Sequence, residues 1–245
     1  MIKLLIATPA YSGKVEANYA IALAETCAYL TSKGISIEMF VPTSGSLLAA
    51  ERNRILRRFV KSDCTHILCI DADLAWPAIA VEVMLKHNVD FVGGCYPARL
   101  DKTFLFRPAH NADGSLVTNG ISLLKMEYIP AGFMLIRRGV IEKMNEVHAD
   151  RYFKPKQGPG DDGYALFNTE VYDGEFWGED YLFCRLVREA GFDIWVDPMI
   201  QFNHSGQIGM LAEALTGDKT KAKPLDQLGL TPTDSIADLN AVEAS

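Results

Sequence analysis

The sequence predicts an α/β protein with a mostly parallel twisted sheet, helices on both faces, an added antiparallel hairpin and a flexible, polar C-terminal tail. Short apolar segments alternate with helical periodicity through residues 1–100, which is typical of parallel strands joined by helices. The run Ile67-Leu68-Cys69-Ile70 shows almost no alternation, as expected of a strand buried on both faces. Farther along, Asn111-Ala112-Asp113-Gly114 is a turn signal typical of a hairpin.

The first part of the chain is predicted to alternate strands with helices. The predicted strands are Lys3–Thr8, Ile35–Val41, the segment that ends at Asp71, and Asp90–Gly94. The predicted helices are Val15–Lys33, which Gly34 closes, Leu47–Lys61, and one that opens with Pro77. This order brings the carboxyl ends of several strands to one edge of the sheet, where open α/β sheets bind ligands.

The second part is predicted to be less regular. Its predicted elements are the hairpin strands Phe104–Ala109 and Ser115–Thr118, a strand at Phe133–Ile136, a helix from Val140, a helix from Gly178-Glu179-Asp180 to about Gly191, and a strand at Phe192–Val196. The Gly/Pro/Asp-rich loop Lys154–Gly163 is long enough to be a functional lid or a disordered segment. From Gly217 onward the chain is polar, and we expect a loosely attached tail.

Composition favours a globular protein that works in a reducing compartment. With 245 residues, 49% hydrophobic, the chain can form one large α/β domain or two small ones. It has no apolar stretch of membrane-spanning length, and its start lacks the pattern of a cleaved secretion signal. The five scattered cysteines form no CxxC motif and are expected to be reduced core residues. The net charge of −7 argues against a broad nucleic-acid surface, although the arginines near Arg52 form a local cationic cluster.

Asp71 and Asp73 directly follow the apolar run that ends at Ile70. Side chains two apart on a strand point the same way, so both carboxylates would face the crevice if the strand geometry continued to Asp73. Two carboxylates there suit Mg2+ or Mn2+, and the ion would suit a diphosphate. An acidic turn that caps the next helix is the alternative interpretation.

Two other segments are suited to holding a nucleotide. Thr8-Pro9-Ala10-Tyr11 lies at the carboxyl end of the first strand, where its backbone and the Tyr11 ring could hold a base. A strand-ending turn with a half-buried tyrosine explains it equally well. Arg52 lies between apolar stretches, and its guanidinium suits a phosphate or an acidic partner, whereas a solvated helix face better explains the neighbouring arginines.

Two late segments are candidates for proton transfer or metal binding. Gly178-Glu179-Asp180 opens a helix whose N–H groups stabilise ionised carboxylates. These residues are therefore either caps or a carboxylate that accepts a proton without being strongly basic. The preceding Phe176 and Trp177 suit a sugar face or core packing. His204, just beyond Ile200–Phe202, is a candidate ligand or an ordinary loop histidine.

Taken in chain order, these segments resemble the GT-A type of nucleotide-sugar glycosyltransferase. The resemblance runs from about Ile2 to Gly209, and the order looks like that of small viral and bacterial members, including those of large algal viruses and phages. It rests on Thr8-Pro9-Ala10-Tyr11, Arg52-Asn53, Ile70-Asp71-Ala72-Asp73, Pro130-Ala131-Gly132-Phe133-Met134, Gly178-Glu179-Asp180 and His204. No Gln-x-x-Arg-Trp-type motif follows, so repeated polymerisation is not expected.

The resemblance implies one GT-A-like domain at residues 1–216, divided into a nucleotide-binding half (1–100) and an acceptor-binding half (101–216), and followed by the tail 217–245. The residues implied to bind the nucleotide and its diphosphate are Thr8, Pro9, Ala10, Tyr11, Arg52, Asp71 and Ala72. A site for Mn2+ or Mg2+ is implied at Asp71, Asp73 and His204, with Asp73 as a direct ligand.

The resemblance also implies that Asp180, or else Glu179, faces the acceptor and acts as the base of an inverting reaction. Pro130-Ala131-Gly132 would lie near the sugar, where small residues let the backbone approach closely. A UDP-sugar is the first expectation for the donor and a GDP-sugar the second. A glycan or other hydroxyl acceptor is expected, a modified DNA base stays open, and the expected location is the cytoplasm, or the host cytoplasm for a viral protein.

Two other functions fit the same architecture. A sugar-phosphate nucleotidyltransferase would normally carry a Gly-rich basic loop after the first strand, for which Tyr11-Ser12-Gly13-Lys14 is a poor substitute. A non-catalytic nucleotide- or carbohydrate-binding module would not need both carboxylates of the Asp-x-Asp motif together with His204 and Asp180.

Overall fold

A computed structural model describes residues 1–10, 13–43, 45, 47–100, 103–120, 122–154 and 162–216. The predicted tail 217–245, the candidate Tyr11 and most of the loop Lys154–Gly163 therefore lie outside the described residues. Across the described part of the chain, no helix is both long enough and apolar enough to cross a membrane.

Fifteen strands are present in the described residues. They are β1 (Lys3–Ala7), β2 (Ser36–Phe40), β3 (His66–Ile70), β4 (Leu74–Ala75), β5 (Phe91–Gly93), β6 (Arg107–Pro108), β7 (Leu124–Tyr128), β8 (Phe133–Arg137), β9 (Tyr152–Phe153), β10 (Gly163–Tyr164), β11 (Glu170–Tyr172), β12 (Glu175–Trp177), β13 (Ile194–Val196), β14 (Gln201–His204) and β15 (Gln207–Met210). The helices of the same residues are α1 (Ala17–Ser32), α2 (Leu48–Lys61), α3 (Ala80–Lys86), α4 (Arg138–Val147), α5 (Glu179–Glu189) and α6 (Leu211–Thr216).

Eight of these strands form the central sheet, in the order β2-β1-β3-β8-β5-β13-β7-β6. Strand β8 runs antiparallel to β3 and β5, and β7 runs antiparallel to β13 and β6, so the other six strands point the same way. The predicted α/β class with a mostly parallel sheet is confirmed. Strand direction was not readable from the sequence, because a buried apolar strand has the same pattern whichever way it runs.

The helix that was expected to open with Pro77 begins later, at Ala80. Leu74 and Ala75 pair as β4 with β14, so the chain is still in a strand two residues before Pro77. Pro77 then lies in a turn, where its carbonyl oxygen accepts the N–H of Ala80 at 2.9 Å. The prediction that Pro77 is the first helical residue is therefore wrong, because a tertiary strand pairing delays the helix.

The predicted hairpin turn is present, but its arms are less regular than expected. The N–H of Gly114 donates to Asn111 O at 2.9 Å, and Gly114 has φ +83°, which glycine adopts without a Cβ penalty. One bridge, between His110 and Leu116, joins the arms. The longer ladder is formed instead by β6 with β7.

The core lies on both faces of the central sheet, which explains the unbroken apolar run of β3. Ile67 and Cys69 pack into the cluster that contains residues of α2, α4 and α5. Leu68 and Ile70 pack into the opposite cluster, which contains residues of α1 and α3. The predicted burial of β3 on two faces is confirmed.

A buried amide holds α2 against the chain that precedes α5. Asn53 Nδ2 donates to Phe167 O at 2.7 Å, and Asn53 Oδ1 accepts the N–H of Phe167 at 2.8 Å. Both ends of the amide are therefore paired with backbone groups that have little access to water. Because Arg52 is the adjacent residue, this pairing also sets where its side chain enters the site described below.

We expect Asn53→Ala to lower the free energy of unfolding by about 2–4 kcal/mol, because two buried backbone groups lose their partners. Urea denaturation of the full chain measures the change. Asn145→Ala, at a half-buried position of α4 without this pairing, is the control and should shift stability by no more than about 0.5 kcal/mol. Equal losses in the two variants would show that the pairing with Phe167 contributes little.

Candidate active site

A cleft of about 490 Å³ opens where the chain leaves the carboxyl ends of β1 and β3. This volume is in the usual range for small-molecule sites. The residues that line it include Pro9, Lys14, Glu16, Leu48, Glu51, Asp71, Ala72, Asp73 and Arg99. The sheet thus places the Asp-x-Asp segment at the floor of a cleft that carries both cationic and anionic side chains.

The buried side chain of Arg52 joins Asp71 to the start of α5. Arg52 Nη2 donates to Asp71 Oδ1 at 2.9 Å, and Arg52 Nη1 lies 3.8 Å from Glu179 Oε1. Arg52 is only 7% exposed. Burial alone would lower the pKa of Arg52, but the nearby charges, led by Asp71, outweigh it and raise the pKa. Of the two partners expected for this guanidinium, a phosphate or an acidic group, the structure shows the acidic one, Asp71.

Gly132 packs directly beneath Asp71. Its carbonyl oxygen accepts the N–H of Asp71 at 2.9 Å, and its own N–H donates to the Tyr96 hydroxyl at 3.0 Å. A Cβ at this position would overlap the Tyr96 hydroxyl and come within 2.6 Å of Asp71 Oδ2, so any side chain there would force these two groups to move. The segment that was expected to lie near the sugar therefore lies beside Asp71.

Asp73 and His204 lie side by side at the other end of the motif. The pairing of β4 with β14 places His204 opposite Leu74, and His204 Nε2 is 3.3 Å from Asp73 Oδ2. Arg99 contacts both side chains: its Nε donates to His204 Nε2 at 3.1 Å, and its Nη2 pairs with Asp73 Oδ2. A positively charged group thus sits against the two side chains.

The backbone determines which nitrogen of His204 carries the proton. His204 Nδ1 lies 2.8 Å from the carbonyl oxygen of Pro97, which can only accept a hydrogen bond. Nδ1 is therefore the protonated nitrogen, and Nε2 is left with a lone pair directed toward Asp73 and Arg99. Histidines that bind metals commonly use this arrangement, with one N–H held by a backbone carbonyl.

Two of the three predicted metal ligands are adjacent, and the third is turned toward a different partner. Asp73 Oδ2 and His204 Nε2 form a donor pair that fits a divalent ion, whereas Asp71 is paired with Arg52. Among the described residues, the one group of three whose possible ligand atoms all lie within 4.8 Å is Glu38, Asp63 and Cys64.

That separate group is an ion-pair cluster. Lys3 Nζ lies 2.7 Å from Glu38 Oε1 and also pairs with Asp63. Arg58 Nη2 lies 3.3 Å from Glu38 Oε2, so two cationic side chains already balance the two carboxylates of this cluster.

Of residues 8–10, which directly follow β1, only Pro9 lines the cleft, whereas Thr8 and Ala10 are buried. Thr8 is fully buried, and its hydroxyl is 2.5 Å from the Tyr19 hydroxyl, so its side chain packs inside the fold. Pro9 lines the cleft, whereas Ala10 is buried and its N–H donates to Pro42 O at 3.0 Å. Ala72 also lines the cleft, and its carbonyl oxygen accepts the N–H of Glu16 at 2.9 Å.

Asp180 lies in the first turn of α5, and its Oδ1 accepts the N–H of Tyr181 at 2.9 Å. Burial raises the pKa of Asp180, and the adjacent Glu179 raises it further, against the smaller lowering effects of Tyr181 N–H and Arg52. The sequence had suggested a carboxylate that is not strongly basic. The pKa of Asp180 is raised instead, because the cost of desolvating the charged carboxylate outweighs the stabilisation by the helix N–H groups.

Aromatic side chains surround the start of α5. The Tyr128 ring stacks on Tyr181 at 5.4 Å between centroids and meets Trp177 edge-on at 5.3 Å. Arg185 lies over the Tyr172 ring at 3.5 Å. Phe176 instead is 75% exposed, so of the aromatic pair before Asp180 one ring packs inward and one faces solvent.

Sequence reasoning missed two residues of the site, Arg99 and Tyr96. Tyr96 is buried, and burial together with Asp71 raises the pKa of its hydroxyl. Both residues follow β5, so their position after a sheet strand was a usable signal. Neither belongs to a recognisable motif, and only the fold brings them to the Asp-x-Asp turn.

No family model and no curated protein matches this sequence. Among solved structures, the chain is similar to A197 from STIV, with 15% identity, a TM-score of 0.50, and coverage of 86% of this chain and 94% of that chain. This likeness shows the fold, which is of the GT-A type that the order of motifs resembles.

Two further structures are similar at lower scores. GalNAc-T7 with UDP, GalNAc and Mn2+ has 8% identity and a TM-score of 0.47, and 83% of this chain covers 43% of that one. S. aureus TarS 1-349 in complex with UDP-GlcNAc has 13% identity and a TM-score of 0.41, and 80% of this chain covers 56% of that one. The chain thus spans about half the length of these two proteins, and likenesses this distant do not bear on what it binds.

The raised pKa of Asp180 predicts that this carboxylate destabilises the folded chain near neutral pH. Its folded pKa lies above its unfolded pKa, so the native state holds the proton more tightly, and stability falls as the pH rises from about 4 through the folded pKa. Asp180→Asn removes this loss. We expect the melting temperature of the variant minus that of the parent to be larger at pH 7.5 than at pH 4. Thermal unfolding at the two pH values measures this difference.

Asp150→Asn, which changes an exposed carboxylate, controls for the change in net charge. A melting-temperature difference for Asp180→Asn that is the same at both pH values, or that turns against the variant at pH 7.5, would contradict the burial argument.

Proposed function

We propose that this protein is a metal-dependent glycosyltransferase that moves a sugar from a nucleoside-diphosphate sugar to an acceptor hydroxyl, with inversion at the anomeric carbon. The observation that carries the proposal is the arrangement of two carboxylates at one cleft. Asp73 lies beside His204, and Asp71 is joined through Arg52 to the first turn of α5, which carries Asp180. These contacts support a cation site at Asp73 and His204 and a base in the first turn of α5, to which Arg52 joins Asp71.

The cleft supports a nucleoside diphosphate as the donor group. Lys14 and Arg99 line it, and cationic side chains favour phosphate oxygens. Pro9 and Ala72 offer backbone and small apolar surface to the nucleoside. A UDP-sugar is our first choice and a GDP-sugar our second, on the resemblance of the motifs, and Tyr11 remains a proposed base contact.

Asp73 and His204 would hold Mn2+ or Mg2+, with Asp71 as a further candidate ligand. Such an ion, when bound, supplies positive charge that stabilises the departing diphosphate. The Nδ1–H of His204, held by Pro97, keeps its Nε2 lone pair available. Arg52 holds Asp71 in place through the ion pair between Nη2 and Oδ1.

Asp180 is proposed to take the proton of the acceptor hydroxyl. The acceptor oxygen bonds to the anomeric carbon as the bond from that carbon to the diphosphate oxygen breaks, and the proton moves to an Asp180 oxygen. A raised pKa makes this carboxylate a better base than an exposed aspartate. Glu179, whose carboxylate is closer to Arg52, is the second candidate.

The aromatic side chains beside Asp180 support a glycan as the acceptor. The solvent-facing Phe176 offers an apolar ring face of the kind that packs against sugars. Other hydroxyl acceptors, a modified DNA base included, are outcomes of an acceptor screen. The cysteines of the described residues are all free, which supports action in a reducing compartment such as the cytoplasm, or the host cytoplasm if the protein is viral.

A screen of nucleotide sugars tests the proposed function. We expect Mn2+-dependent release of nucleoside diphosphate from one of them, and we expect Asp73→Ala to abolish Mn2+-dependent donor binding in calorimetry while the circular dichroism spectrum is unchanged. Asp113→Ala, in the hairpin turn outside the cleft, is the matched control. Unchanged donor binding in Asp73→Ala would refute the assignment of the metal site.

Two further results would indicate the two other functions. Pyrophosphate release from a nucleoside triphosphate and a sugar phosphate would instead indicate a nucleotidyltransferase. Donor binding without hydrolysis or transfer over a long incubation would indicate a binding module.

The proposed base makes a separate prediction. Asp180→Asn should lower the rate of transfer by about 100- to 10,000-fold, the usual contribution of a general base. Donor affinity should stay within about threefold of the parent, because the nucleotide cleft is built from other residues. Transfer kinetics and calorimetry measure the two effects. Near-normal transfer, or a product that retains the anomeric configuration of the donor, would contradict this role.

A further inference from the structure

Arg99 lies against the two side chains that are proposed to bind the metal. Its Nε donates to His204 Nε2 at 3.1 Å, and its Nη2 pairs with Asp73 Oδ2. The side chain of Asp73 is 10% exposed and that of His204 12%, whereas that of Arg99 is 63% exposed. The largely exposed side chain of Arg99 thus places its guanidinium against two side chains that are mostly buried.

The contacts of Arg99 use the same atoms that a divalent ion would need. A metal ion binds the lone pair of His204 Nε2 and the carboxylate of Asp73, and the guanidinium already binds both. The acceptor nitrogen of a neutral imidazole has one lone pair, so His204 Nε2 cannot bind Arg99 and a metal ion at the same time. Because the stem of Arg99 is largely exposed, the side chain can leave without disturbing the core.

We propose that Arg99 is a positioning residue whose guanidinium occupies the cation site in the free enzyme. It leaves this site when the divalent ion binds, and it then pairs with the diphosphate of the donor. The inference rests on the proposed function. Arg99 lines the donor cleft, so its displaced guanidinium remains within the space that the diphosphate would occupy. A planar guanidinium binds phosphate oxygens through paired hydrogen bonds.

This exchange couples the metal to the donor. Without nucleotide, the metal must displace Arg99 and leave its charge without an anionic partner. With nucleotide, the diphosphate provides that partner, so each ligand strengthens the binding of the other, and by linkage the two effects are equal. Removing Arg99 therefore has opposite effects on the two affinities, a pattern that a purely structural residue would not produce.

Calorimetry on the full chain tests the exchange, with MnCl2 and UDP as probes. Arg99→Ala should bind Mn2+ alone about 3- to 30-fold more tightly than the parent, because no side chain competes for the ligands. The same variant should bind UDP in saturating Mn2+ about 10-fold more weakly, because a charged hydrogen-bond donor is lost. Arg99→Lys keeps the charge without the planar fork, and its Mn2+ affinity should lie between those of parent and Arg99→Ala.

Arg107→Ala is the matched control. Arg107 is similarly exposed, at 68%, and pairs with Glu127 on the β6–β7 ladder outside the cleft. The Arg107→Ala substitution removes the same charge as Arg99→Ala, but outside the cleft. The Mn2+ and UDP affinities of this variant should therefore equal those of the parent. Circular dichroism verifies that all variants are folded.

The possible failures are distinguishable. If the parent binds both probes and Arg99→Ala shows no gain in Mn2+ affinity, the exchange is wrong and the proposed function stands. If UDP binds equally with and without Mn2+ but is lost in Arg99→Ala, the guanidinium is the permanent cation, which refutes both the exchange and the metal dependence. If neither the parent nor Arg99→Ala binds Mn2+, both proposals fail.

Discussion

The buried pairing of Arg52 with its carboxylates is the interaction on which the site depends. A guanidinium that is 7% exposed would be costly to desolvate alone, and Asp71 and Glu179 offset that cost from two distant parts of the chain. The same contacts bring the turn after β3 next to the start of α5. Stability and the arrangement of functional groups therefore depend on one side chain of α2.

The site contains two positively charged side chains with contrasting surroundings. Arg52 is enclosed by packing, including the face of the Phe167 ring at 5.6 Å, and the adjacent Asn53 holds the backbone of Phe167. Arg99 is largely exposed and reaches its partners across the mouth of the cleft. Arg52 is thus suited to be a permanent structural charge, and Arg99 is suited to be a charge that another cation can replace.

Much of the architecture was readable from local patterns. The helices α1 and α2 and the strands β1 and β3 were expected within a few residues of their observed limits, because each has strong periodicity or an unbroken apolar run. The delayed start of α3 and the reversed direction of β8 were not readable. Both depend on which strand pairs with which, and pairing partners are far apart in sequence.

The sequence by itself determined the α/β class, the two-faced burial of β3, and the placing of Asp71 and Asp73 at the end of that strand, because these features follow from short-range periodicity. Only the tertiary structure decided which partner each side chain meets: Asp71 faces Arg52, and Asp73 meets His204 and Arg99. It also reversed the expected basicity of Asp180, whose pKa is raised by burial. Burial and contacts between distant residues are properties of the packed chain, which no local pattern contains.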